Sequence, residues 1–154
     1  MYFAAVLSLM LVFPVSSVVV EKYLAHSDAG LLLLIGKWFA FWAVGIRLIS
    51  AGARQTMNPR FTAETILGVK GPESWIVVRE LGIANIAVGT IASLSLYVPQ
   101  WRTPAAVAGA VFFGLAGINH FVQKNRNQLE NIAMVSILFV CGVLCAYCLA
   151  GVPR

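Results

Sequence analysis

Charge is what this chain has least of: 11% of its 154 residues are Asp, Glu, Lys or Arg, against 60% hydrophobic residues. Such a composition excludes an ordinary soluble domain and an intrinsically disordered one. No Gly-rich phosphate loop, no His-Glu-x-x-His and no ordered Ser, His and Asp set occurs, so no nucleotide, zinc-protease or triad chemistry is legible and no reaction is named. Internal repeats and low-complexity segments are also lacking. Histidine occurs twice and cysteine three times, too few for a disulfide framework.

Long apolar runs are what the chain does have. A helix needs about 20 mostly apolar residues to cross the hydrocarbon layer. Residues 2–20, 31–53, 75–98, 103–122 and 130–151 each qualify. Backbone left open in lipid is costly, so the expected fold is all-α, a polytopic membrane helical bundle. The first run lacks the basic flank and small-residue cleavage pattern of a signal peptide and is read as a retained helix. Pro14 would kink it. The stretch after it, residues 21–30, is read as a plain turn with His26 solvated.

Basic residues set the expected orientation. With five spans, one side would carry Arg54, Arg60, Lys70, Lys124 and Arg126, the other Lys22, Arg102 and Arg154. The positive-inside bias places the N-terminus in the cytoplasm and the C-terminus in the periplasm. The net charge of +5 follows from this bias and from anionic headgroups, without nucleic acid.

The longest connection has its own grammar. Asn58-Pro59 forces a turn. Thr62 then caps a short helix over 62–69, with Glu64 in its first turn and Gly68 or Gly71 ending it. Phe61, Ile66, Leu67 and Val69 suit it to the membrane surface, or to a lid over a site beneath.

Polar residues gather at the span ends that meet on the cytoplasmic side. They are Arg47, Ser50, Arg54 and Gln55 from the second span, Arg79, Glu80 and Asn85 from the third, Asn119 and His120 from the fourth, and Glu130, Asn131 and Ser136 from the fifth. At about 1.5 Å per residue, Glu80 and His120 fall roughly 10 Å from their span centres and Arg47 roughly 6 Å, so one polar layer is expected. Ionisable groups at such depth turn inward and pair. Glu80 is paired with Arg47 in this reading, with His120 beside them, as a structural clasp. A ligand, quinone or proton site, or plain snorkelling of Arg79 and Glu80 to the headgroups, are the alternatives.

Small residues mark close helix contacts: Gly82, Asn85, Gly89 and Ser93 in the third span, and Ala106, Ala110 and Gly114 in the fourth. Asn85 should hydrogen-bond across helices. Trp75, Tyr97 and Trp101 read as interface anchors, and Trp38 and Trp42 as deeper packing residues. Cys141, Cys145 and Cys148 share one helix face and read as small buried hydrophobes rather than metal ligands.

Three blocks, residues 41–66, 77–89 and 116–136, resemble an uncharacterised bacterial membrane family grouped near the DoxX-like proteins. The resemblance covers about residues 31–150 and implies a four-helix membrane domain over 31–151, preceded here by an additional transmembrane helix over 1–24. The matching positions are Arg47, Gln55, Asn58, Pro59, Arg79, Glu80, Asn85, His120, Glu130 and Asn131. Some relatives are membrane subunits of quinone-linked redox systems, so the resemblance implies a quinone as the one cofactor to consider and a membrane or redox protein as partner, with a homo-oligomer also open. Two functions follow. One is a non-catalytic inner-membrane subunit or lipid- or quinone-binding protein; the other is an oxidoreductase subunit or small transporter with Glu80 and His120 as proton carriers.

Overall fold

The structure, a computed structural model, describes residues 2–122 and 128–151, with side chains from residue 4 onward except those of 128–130, 133 and 151. Every regular element among the described residues is helical. Helix α1 runs through Tyr2–Leu7, Ser8–Val12, Phe13–Val19 and Val20–Leu24, and α2 through Leu31–Phe39, Ala40–Ile46 and Arg47–Met57. A short α3 (Phe61–Ile66) leads to α4 (Pro72–Leu94), and the turn Pro99–Trp101 leads to α5 (Arg102–Val122); α6 is Gln128–Gly151.

Among the described residues, four helices are long and apolar enough to cross a membrane: Ala4–Leu24, Leu31–Met57, Pro72–Leu94 and Pro99–Val122. In α6, the apolar stretch among the described residues is the shorter Met134–Ala150. The expected spans thus appear as helices, with α2 extended to Met57 and α4 shifted toward the N-terminus. Pro72 explains that shift, since proline is favoured in the first turn of a helix, where its missing N–H costs nothing. In α1 the widened turn Ser8–Val12 lies just before the buried Pro14, whose ring clashes with the carbonyl four residues earlier.

Helix α2 is the centre of the bundle. Ala40, Ala43, Val44 and Leu48 are wholly buried, and α2 touches α1, α4, α5 and α6. The core continues through Met10 of α1, Ala106 and Phe113 of α5, and Val140 and Leu144 of α6. Helix α1 is therefore part of one packed core with the other helices.

The connection between α2 and α4 begins one step earlier than expected. Asn58 accepts the Phe61 N–H at 3.2 Å and so starts α3, while Thr62 is buried inside it and is not the cap. Gly68 and Gly71 have positive φ and end the segment, as their backbone freedom allows. Arg60 pairs with Glu64 and stacks over Trp75, which ties α3 to the start of α4. Phe61, Leu67 and Val69 are exposed, leaving an apolar surface there.

Candidate functional site

The most connected polar cluster among the described residues lies between α1 and α2. Lys37 Nζ sits 2.7 Å from each oxygen of Glu21, and the Trp38 indole N–H donates to the same carboxylate at 2.6 Å. The Lys37 ammonium also lies 4.8 Å from the Trp38 ring centre. One turn deeper, the Trp42 indole N–H donates to Ser17 Oγ at 3.0 Å, with Phe13 packed on the Trp42 ring. A cleft of about 360 Å³ opens beside them, lined by Ser16, Ser17, Val20, Glu21, Lys37 and Trp38. Three hydrogen bonds from two donor groups satisfy a half-buried carboxylate that would be costly alone. Trp38 and Trp42 are thus polar-tipped packing residues. Sequence reading placed Glu21 in a turn and missed the cluster. The available signal was hairpin spacing: antiparallel helices joined by a short turn bring a residue just before it beside one just after.

Between α2 and α4 the contact is made of backbone. A Cβ on Gly45 would lie 2.9 Å from the Ser93 nitrogen, one on Gly52 2.5 Å from the Gly82 carbonyl oxygen, and one on Gly89 2.8 Å from the Gly45 carbonyl oxygen. Only glycine permits that approach. The expected stripe of Gly82, Asn85, Gly89 and Ser93 is this seam, and its partners Gly45 and Gly52 were not anticipated. Above Gly52, the buried Asn85 donates from Nδ2 to Gln55 Oε1 at 2.8 Å, the interhelical bond expected of Asn85.

The same contacts set the register and correct the expected ion pair. Gly45 opposite Ser93 and Gly52 opposite Gly82 and Ile86 place Arg47 level with about Thr90, and Glu80 level with about Met57. Arg47 and Glu80 are then about 15 Å apart along the helix axes, at 1.5 Å per residue. Glu80 is also on the wrong face. Val78, Gly82, Asn85, Gly89 and Ala92 form the buried stripe of α4, whereas Arg79 and Glu80 are exposed. Glu80 makes no ion pair among the described residues. The expected clasp fails because residues 79 and 80 lie on the side of α4 turned away from the buried stripe, a phase that charge content alone does not reveal.

Arg47 instead places its guanidinium 5.7 Å from the Phe113 ring centre. With Gly109 against Val44, that contact brings His120, two turns beyond Phe113, level with Arg54 and Gln55. His120 is half-buried, whereas Asn119 and Asn131 are exposed. The side chain of Glu130 and the residues Lys124, Arg126 and Arg154 lie outside the described residues. The expected single layer therefore divides: Gln55, Asn85 and His120 share a depth, Glu80 is near it but faces outward, and Arg47 lies deeper.

Of the cysteines, Cys141 donates to the Ala110 carbonyl at 3.3 Å and meets Gly114, Cys148 is half-buried, and Cys145 is exposed, contrary to the expected common burial. The stripe of Ala106, Ala110 and Gly114 does lie against α2 and α6, joined by Gly109 and Gly117.

An apolar groove runs between α1 and α6. One cavity of about 350 Å³ is lined by Val15, Val18, Val19, Phe39, Phe139, Val143 and neighbours. A second of about 260 Å³ is lined by Leu7, Met10, Leu11, Ile132, Val135, Ser136 and Phe139. Phe139 belongs to both, and among the described residues Ser136 is the one polar residue in either lining.

An all-helical bundle with apolar helices of spanning length among the described residues defines a membrane-compatible protein. The chain matches the family of unknown function DUF6790 over residues 1–152 and belongs to that family. The match runs through α1 as well as the other helices, and no comparison links the chain to the DoxX-like proteins. No curated protein and no solved structure matches it.

Proposed function

We propose that this is a non-catalytic, multi-pass inner-membrane protein that holds the hydrocarbon chain of a lipid or quinone along the α1–α6 groove, with the ligand's polar head at the Ser136 end. The observation that carries the reading is the groove: two cavities joined at Phe139 and, among the described residues, apolar throughout except at Ser136. From Leu7 to Val19 its α1 wall extends about 18 Å at 1.5 Å per residue, which suits one extended chain. Lipid already surrounds the protein, so selectivity comes from fit and from the head rather than from leaving water. The Gly114–Cys141 and Gly117–Leu138 contacts set Ser136 level with about Asn119, so the head would sit near the depth of His120.

The proton-carrier reading draws on the similar depth of Glu80 and His120, but the outward position of Glu80 leaves the two without a shared site. The DoxX-like resemblance suggests a membrane redox complex as the setting in which a quinone would be exchanged. The charge bias supports a cytoplasmic N-terminus and periplasmic C-terminus, tested by reporter fusions at each end.

The test of the groove is mass spectrometry of lipids and quinones retained in mild detergent by the wild type and by Val143→Trp, which fills it. A specific amphiphile retained by the first and lost from the second is expected. Retention of bulk lipid alone, or identical retention by both, would sink the reading.

A further inference from the structure

Helix α4 has an outward face that the bundle leaves unused, and it carries two adjacent charges of opposite sign. Its buried stripe of Val78, Gly82, Asn85, Gly89 and Ala92 packs on α2. Nearly opposite lie Ile83, Ala87, Thr90 and Leu94, all exposed, with Arg79 and Glu80 straddling the same line one turn earlier. Neither charge has a hydrogen bond or ion pair among the described residues. The Thr90 hydroxyl donates to the Ile86 carbonyl at 2.7 Å, so that donor is already satisfied if the face is covered.

The placement of the charges is self-complementary. Consecutive residues of an α-helix are about 100° apart and differ by about 1.5 Å in height. Arg79 and Glu80 therefore stand about 50° to either side of the line through Ile83, Ala87 and Thr90. Two copies of a membrane protein share one orientation, so their α4 helices run parallel. A two-fold axis along the membrane normal then sets Arg79 of each copy opposite Glu80 of the other, making two reciprocal pairs at one height. Below them, Ala87 and Thr90 are small enough for the helices to approach closely.

We infer that this face of α4 is a self-association surface, on which a second copy of the chain packs about that axis with reciprocal Arg79–Glu80 pairs. The inference is independent of the α1–α6 groove, which lies on other helices.

The test is disulfide cross-linking in lipid vesicles, with Cys141, Cys145 and Cys148 changed to Ala and a new cysteine introduced by Ala87→Cys. Val111→Cys, exposed on α5, reports random collision. Cross-linking through position 87 and little through 111 is expected. Glu80→Arg in the Ala87→Cys background then juxtaposes like charges at both contacts and should weaken association about tenfold, while the swap Arg79→Glu with Glu80→Arg restores it. Equal cross-linking at 87 and 111, no effect of the single reversal, or failure of the swap to rescue would each overturn the inference. Glu80 is exposed, so a loss of fold is not expected; a bulky Ala87→Leu, which should also weaken association, gives a second reading that leaves the charges intact.

Discussion

Helix α2 makes two seams that solve the same problem in opposite ways. Against α4 it offers glycines, and the helices come close enough for backbone to meet backbone, with the Gln55–Asn85 bond closing one end. Against α1 it offers Lys37, Trp38 and Trp42, which hold Glu21 and Ser17 across a wider gap that leaves a cleft. The first seam depends on shape and tolerates almost no added volume. The second depends on charge and hydrogen bonds and tolerates volume but not the loss of a partner. Lipid provides no hydrophobic drive between helices, so a bundle needs one device or the other.

The sharpest way to break that contrast is to add volume to the close seam. Gly52→Leu would put a Cβ within 2.5 Å of the Gly82 carbonyl and force the helices apart. Overpacking typically costs about 1–3 kcal/mol, and with rigid backbone as the obstacle the upper end or more is expected. Thermal unfolding in detergent should show a large loss for Gly52→Leu and a much smaller one for Ser16→Leu beside the cleft. Equal losses would mean that the two seams do not differ as described.

Charge removal should reverse the ranking. Glu21→Gln leaves Lys37 without its carboxylate and Lys37→Met leaves Glu21 with one indole donor. Stranding a buried charge costs about 3–5 kcal/mol; the side chains here are 23% and 18% exposed, so about 2 kcal/mol is expected for each. The double variant should lose less than the sum of the singles. Strict additivity would show that the pair does not couple.

At the polar end of the close seam, Asn85→Ala removes one interhelical bond and leaves the Gln55 carbonyl oxygen unmatched. Such bonds in membranes average about 0.6 kcal/mol and reach about 1.7. A loss near 1 kcal/mol is expected, recovered in part by Gln55→Leu in the same chain. A loss as large as that of Gly52→Leu would show that hydrogen bonding, rather than close approach, holds this seam.

The two seams also differ in how far the sequence discloses them. Gly82, Asn85, Gly89 and Ser93 repeat at helical spacing, and a stripe of small residues in an apolar helix has few roles other than close packing. Their partners Gly45 and Gly52 stand seven residues apart on the facing helix, and that they meet α4 is disclosed only once the register is known. Glu21 and Lys37 lie on different helices, and their meeting depends on where α1 ends. Apolar length locates that end to within a turn, the same margin that separates a turn residue from a buried one. Phase misled most at Arg79 and Glu80: the nearby Gly82 and Asn85 stripe already implied that residue 80 points away, but the cost of a membrane charge argued for turning it inward. The helical class was legible because length and apolarity alone determine it.

The smallest expected effect tests that last point. If Glu80 faced Arg47, Glu80→Gln would strand an arginine and cost several kcal/mol. With Glu80 exposed and about 15 Å from Arg47 along the axis, its loss should change the stability of the monomer by less than about 0.5 kcal/mol, as surface substitutions do. Arg47→Met should be more damaging, because it removes a side chain packed on the Phe113 ring within the core. The double variant should equal the sum of the singles, since residues more than about 7–10 Å apart that share no partner act independently. Detergent melts at protein concentrations low enough to hold the monomer separate this from any contribution of Glu80 to association. A coupling energy above about 0.5 kcal/mol between positions 47 and 80 would contradict the register deduced from the glycine contacts and restore the ion-pair clasp.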